Sequence, residues 1–327
     1  MKKRILFLMV NVAAIFTALF IGEIYRRMKG FHPCIRTFPG QYQNKPKAEK
    51  WAHPDPLLGW TIIPKYTEII PQGFRDTKDF NKVDLNSGEI RVMILGDSFM
   101  YGVGVQADEN VPNLLQGKLI GKYEFFNLGM RGWGIDQMYL AYKKYKDVID
   151  PNIVILAYID DDVRRVLEAY RRGEGFNKLS FTIENGRLVP RRSMSQSQML
   201  LNAIMEKNVF FSLLMRYIYL IKDVRSVVSY MFLDIAKETQ QKKVKFVVVR
   251  IPTKDFANYN IISQRLYDFE DLFRGTDVLY LEPFKEIRQI PSWTVDLYLN
   301  DRGGHLSEAG NQLLSDYVYR HVFKESK

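Results

Sequence analysis

The feature that most constrains this chain is a recurring pattern: short apolar runs that end at turns and are followed by helix-forming stretches. Ile90-Arg91-Val92-Met93-Ile94-Leu95 runs into Gly96-Asp97-Ser98, and Ile153-Val154-Ile155-Leu156-Ala157-Tyr158 is apolar at every position. A run without a polar face has no side to give to water, so it reads as a strand buried on both faces. Strands over 90–95, 123–128, 153–158, 244–249 and 278–281 alternate with helices over 110–119, 136–148 and 307–322. Strand and helix in alternation predict an α/β fold, a parallel sheet covered by helices on both sides.

The rest of the chain is arranged around that pattern. From 5 to 22 there is no charge, and Lys2, Lys3 and Arg4 come just before. A run close to the ~20 residues that cross a bilayer, preceded by cations, reads as an uncleaved single-pass anchor over residues 1–28, its N-terminus in the cytoplasm. The remainder is then expected outside the cytoplasm, on an inner-membrane anchor. Residues 29–88, rich in Pro, Gly, Lys and aromatics without a helical period, read as a linker and irregular lead-in. The catalytic-type domain is expected over 89–327, with an insertion at about 167–243. That insertion opens with a hairpin at 179–188 around Asn185-Gly186. It continues with helices over 195–224 and 225–241, read as a lid or cap helix packed on the core or as an interfacial helix on the membrane.

Composition narrows the partners. The net charge of +10 is carried by scattered pairs such as Arg164-Arg165, Arg171-Arg172 and Arg191-Arg192, which read as solvated surface. No zinc-finger, helix-turn-helix or RNA-binding signature accompanies the charge, so nucleic acid is not an expected partner. Cys34 is the single cysteine, which excludes an intrachain disulfide. The dense acidic run Asp160-Asp161-Asp162 lacks His or Cys partners at metal-ligand spacing, and no cofactor is expected.

In a parallel sheet, chemistry gathers at the carboxyl ends of the strands. Ser98 follows the first strand, a glycine turn follows the second, the acidic triplet follows the third, and His305 precedes the last helix. A serine hydroxyl needs a base to take its proton and N–H donors for the oxyanion. His305 can serve as that base, and Asp301 lies close enough in sequence to fix its tautomer. Arg131, Trp133, Tyr101 and Gln137 flank the expected cleft. Each reads either as a contact to a sugar or acyl chain or as core or rim packing, with Arg131 and Trp133 the first candidates for substrate contact. Arg75 reads as a surface salt bridge, with pairing to an acidic group near the site as the alternative.

Gly96-Asp97-Ser98-Phe99, Asn127-Leu128-Gly129-Met130-Arg131-Gly132 and the His305-to-Gly310 segment, with its His-x-Ser-x-x-Gly pattern, resemble the blocks of the SGNH (GDSL) hydrolase superfamily. The resemblance implies a flavodoxin-like three-layer sandwich and the hydrolysis or transfer of an ester-linked acyl group. It assigns the nucleophile to Ser98 and the base to His305. The oxyanion donors fall on the N–H groups of Ser98 and Gly132, with Gly129 as the competing glycine.

Two departures stand out. Asp161 occupies the place of the family's oxyanion-hole Asn, and a carboxylate donates only if protonated. The family's acid lies three residues before the histidine, where this chain has Arg302; Asp301 is one residue further back. The expectation is an acylhydrolase acting on an acylated small molecule, lipid or glycan. The alternatives are an O-acyl transferase or esterase modifying an envelope glycan, and a non-catalytic binding or assembly protein.

Overall fold

The computed structural model describes residues 51–65, 68–166, 168–171, 175–191, 224–254, 267–301 and 304–324, together with Thr17. Apart from Thr17, the apolar stretch at 5–22 lies outside these residues, as do Arg302 and, apart from Val224, the helix expected over 195–224. Among the described residues no helix is long and apolar enough to cross a membrane.

Strands β1 (Ala52–Asp55) and β2 (Gly59–Ile62) pair as an antiparallel hairpin. Strands β3 (Ile90–Gly96), β4 (Tyr123–Gly129) and β5 (Ile153–Tyr158) then enter the central sheet. Two small hairpins follow, β6 (Tyr170–Arg171) with β7 (Phe176–Asn177) and β8 (Phe181–Glu184) with β9 (Arg187–Pro190). Asn185 and Gly186 turn the second at φ 50° and 73°, the left-handed pair that a two-residue hairpin turn requires. Strands β10 (Lys245–Arg250) and β11 (Leu279–Leu281) complete the sheet. The helices are α1 (Ser98–Tyr101), α2 (Val111–Lys118), α3 (Ile135–Ile149), α4 (Asp160–Arg165), α5 (Arg225–Gln241), the single turns α6 (Phe284–Ile287) and α7 (Trp293–Asp296), and α8 (Glu308–Val318).

The sheet runs β4-β3-β5-β10-β11, every neighbour parallel, which by chain position is the flavodoxin-like order 2-1-3-4-5. Side chains alternate across it. Met93, Leu95, Phe126, Leu128, Val154, Leu156 and Val248 face one core, with α3 and α5 over them. Val92, Ile94, Phe125, Ile155, Val247 and Val249 face the other, under α2 and α8. Every strand expected for the sheet is present, shifted by at most one residue at either end, and the hairpin expected over 179–188 lies at 181–190. The strand order reverses between β3 and β5, which opens the crevice at their carboxyl ends.

The domain boundary at 88/89 does not survive. Leu58, Trp60, Phe74 and Phe80 are wholly buried in the first core, and Phe74 meets Trp133 edge-on at 5.7 Å while Phe80 meets Phe126 at 5.8 Å. These aromatics lack a period because a hairpin and turns, not a helix, deliver them to gaps around α3. From residue 51 on, the lead-in is therefore part of the domain. The insertion is also shorter at its end than 243. Helix α5 packs on the core, and on the sheet itself: Val227, Val228, Met231, Phe232 and Ile235 are buried. Tyr139 donates to Asp234 at 2.8 Å and Lys146 to Glu238 at 2.7 Å, fastening α5 to α3. It is the crossover helix joining β5 to β10.

Candidate active site

Strand β3 ends at Gly96, and the chain turns at once into α1. Asp97 caps that helix, its Oδ1 accepting from the Phe99 amide at 2.9 Å, and Gly102 closes it in the left-handed conformation at φ 79°. Ser98 is therefore the first residue of a helix at the sheet's crevice. Only 7% of it is exposed.

His305 arrives on a different loop. Tyr298 and Leu306 form an isolated antiparallel bridge, the Leu299 amide donates to His305 O at 2.7 Å, and the Ser307 amide donates to Leu297 O at 2.9 Å. Ser307 then caps α8, its Oγ accepting from the Gly310 amide at 3.2 Å. This clasp presents His305 beside α1, its ring tilted against Phe99 with centroids 5.4 Å apart. Nε2 of His305 lies 2.9 Å from Ser98 Oγ, and Nδ1 lies 2.5 Å from Asp301 Oδ2. With Nδ1–H donating to the Asp301 carboxylate, Nε2 turns its lone pair to the serine hydroxyl.

The acid sits four residues before the histidine for a visible reason. Its other oxygen accepts from the His305 backbone amide at 3.1 Å, so Asp301 folds back over the loop and holds backbone and ring together. Burial raises its pKa, but the hydrogen bonds from the His305 ring and from the amides of His305 and Gly304 outweigh that, and the carboxyl is held below its ordinary value.

The glycine turn also resolves. Met130 to Trp133 form a tight turn, with the Trp133 amide donating to Met130 O at 3.4 Å and Gly132 at φ 76°, a backbone that glycine adopts without strain. The Gly129 amide is already bound to Asn127 Oδ1 at 2.8 Å. The amides of Ser98 and Gly132 have no acceptor among the described residues. Of the two glycines, Gly132 is the one left to donate.

Beneath Ser98 lies a charge cluster that the sequence pattern does not announce. Asp97 Oδ2 is 3.2 Å from both Ser98 Oγ and Arg165 Nη1. Arg165 Nη1 also reaches Asp162 Oδ1 at 2.5 Å and Trp133 O at 2.8 Å. Asp162 Oδ2 accepts from the Ile159 amide at 2.9 Å and so caps α4. Burial pushes the Asp162 carboxyl well above the ordinary range, and the charge of Asp97 adds to it against the opposing Arg165. Asp161 is paired with both Arg164 and Arg165. Asp160 is held bidentately by Arg250, at 2.9 Å through each nitrogen, with both side chains 2% exposed.

Several expectations change here. Arg165 is buried, not solvated; its spacing of three and four residues from Asp162 and Asp161 was the available signal, because such pairs face each other on a helix. Trp133 is wholly buried, donating to Trp60 O at 3.3 Å, and is a core residue rather than a substrate contact. Gln137 is buried as well, bound to Leu58 O at 2.7 Å. Arg131 is partly exposed and stacks over Trp51, 4.5 Å from the ring centroid. Arg75 is 7% exposed and is more than a surface salt bridge. Beside its ion pair with Glu68, its Nη1 donates to the carbonyls of Gly102 at 2.8 Å and Val105 at 3.1 Å, anchoring the C-terminal end of α1.

No protein-family model matches the sequence, and no curated protein sequence matches it. Solved structures do. The psychrotrophic esterase EstA from a Pseudoalteromonas species is similar at 14% identity and TM-score 0.42, covering 72% of this chain and 97% of that one. A member of the lipolytic protein G-D-S-L family from Veillonella parvula is similar at 11% identity and TM-score 0.41, covering 72% and 100%. AlinE4, an SGNH-hydrolase family esterase, is similar at 16% identity and TM-score 0.40, covering 72% and 95%.

Proposed function

We propose that this chain is a serine esterase of the SGNH (GDSL) type that cleaves an ester-linked acyl group through an acyl-enzyme on Ser98. The observation that carries the reading is the approach of His305 Nε2 to Ser98 Oγ at 2.9 Å across 207 residues of sequence, with Asp301 on the other ring nitrogen. As Ser98 Oγ attacks the ester carbonyl, His305 takes its proton. The Ser98 and Gly132 amides receive the oxyanion, and His305 returns the proton to the departing alkoxide. Water then attacks the acyl-enzyme with His305 taking its proton; the bond from the acyl carbon to Ser98 Oγ breaks, His305 returns the proton to Oγ, and the acid is released. A positioned acid–base group contributes about 10²–10⁴-fold and each oxyanion donor about 10²–10³-fold.

An inactive binding protein would have no need to hold serine, imidazole and carboxylate in this order. The cationic start and apolar stretch of the N-terminus support a single-pass anchor with the domain outside the cytoplasm, where the substrate would be an acylated lipid, glycan or small molecule. Protease access to the domain in intact spheroplasts tests that placement. For the chemistry, the test is hydrolysis of p-nitrophenyl acetate by the full chain. Turnover that disappears in Ser98→Ala supports the esterase, whereas equal rates in parent and variant contradict it.

A further inference from the structure

One buried guanidinium touches every segment from which an oxyanion donor would come. Arg165 donates to Asp97, the residue before the nucleophile, at 3.2 Å, and to the carbonyl of Trp133, the residue after Gly132, at 2.8 Å. It holds Asp162 on its own helix at 2.5 Å, and its Nε and Nη2 lie 3.1 and 3.0 Å from Asp161 Oδ2. The contacts to Asp97, Trp133 and Asp162 converge on Nη1, while Nε and Nη2 face Asp161; a lysine ammonium is a single point and cannot hold both sets at once.

Charge makes the same point. Three carboxylates surround Arg165, and Asp161 has Arg164 as a second partner. Asp161 stands where the resembling family has a neutral amide donor. A carboxylate at that place, without a cation, opposes the charge that develops on the substrate oxygen. Here two guanidinium groups hold it.

Resting on the esterase reading, we propose that Arg165 is the positioning residue of the oxyanion hole: it ties the Ser98 and Gly132 turns to α4 and, with Arg164, neutralises the Asp161 carboxylate. The hole then works with two backbone donors, and the acid at position 161 is tolerated because its charge is paired. Arg165 touches no reacting atom.

The test is the inactivation of the full chain by a fluorophosphonate, resolved into its maximal rate and half-saturating concentration, for the parent, Arg165→Lys, Asp161→Asn and the double variant. Ser98→Ala is the control. In Arg165→Lys, confirmed as folded by circular dichroism, the maximal rate is expected to fall about 10–100-fold, somewhat less than the loss of a whole donor, while half-saturation stays within about twofold. Adding Asp161→Asn is expected to recover several-fold of that loss, and the same change in the parent to do much less. A parental rate in Arg165→Lys, or an equal gain from Asp161→Asn in both backgrounds, overturns the proposal while leaving the esterase standing. No labelling of the parent removes the esterase reading and this role together. If Arg165→Lys does not fold, Arg164→Gln carries the test, since it leaves the buried fork intact. A several-fold loss relieved by Asp161→Asn supports the proposal, and an unchanged rate overturns it.

Discussion

The two halves of the candidate site are built on opposite terms. The nucleophile half lies inside the fold: Asp97 and Asp162 are wholly buried, Ser98 and Arg165 are 7% exposed, and Arg75 braces α1 from the lead-in segment. The base half rides on a surface clasp, with the His305 side chain 16% and the Asp301 side chain 37% exposed. The difference teaches where each kind of cost falls. Damage to the first half is damage to the core, because it strands buried charge. Damage to the second removes chemistry and leaves the fold.

The largest test of that division is to delete the lead-in. Leu58, Trp60, Phe74 and Phe80 are wholly buried, and burial of such side chains is worth about 1.5–3 kcal/mol each, so together about 6–12 kcal/mol. Typical domain stability is about 5–15 kcal/mol. A chain beginning at residue 89 is expected to lose its cooperative urea transition, while one beginning at residue 51 keeps it. A cooperative, native-like transition for the shorter chain would break the claim that the nucleophile half is rooted in residues 51–88.

Next in size is a matched pair of substitutions. His305→Ala is expected to lower ester turnover by about 10²–10⁴-fold, with stability changed by no more than about 0.5 kcal/mol. Asp160→Ala leaves Arg250 buried without its partner, and breaking a buried pair costs about 3–5 kcal/mol. Urea midpoints and initial rates measured on both variants sharpen the contrast. A strongly destabilised His305→Ala would dissolve it.

The smallest effect is a difference in pH dependence. The pKa of Asp301 is lowered in the folded state, so its contribution is complete above the ordinary carboxylate range and is lost as pH falls through the folded value. That of Asp162 is raised, so the folded state holds the proton more tightly, and stability falls as pH rises from the ordinary range through the folded value. Unfolding midpoints from about pH 4 to about pH 8 are expected to show a shallower decline in Asp162→Asn than in the parent. Identical slopes would deny the buried carboxyl its raised value.

How much of this the sequence carried also divides along the two halves. The strands were legible because they are apolar at every position, and Ser98, His305 and Asp301 because each is a chemically competent residue where a strand ends or the last helix begins. The offset of Asp301 from the family's acid is explained only by the second hydrogen bond to the His305 amide, which depends on loop geometry. Arg165 was hidden because paired arginines in a helix look solvated until a tertiary contact buries one of them. Helix α5 shows an apolar face in sequence, but that face does not say whether it covers the sheet or a lid. The lead-in aromatics carry no period, since they fill gaps one at a time.

The proposed chemistry depends most on Ser98 being an activated nucleophile. The most direct measurement is to treat the full chain with a fluorophosphonate and locate the adduct by peptide mass spectrometry. The prediction is a single phosphonyl group on the Ser98 peptide, absent when His305 is replaced by alanine. An unmodified Ser98 in folded protein, or equal modification with and without His305, would contradict it.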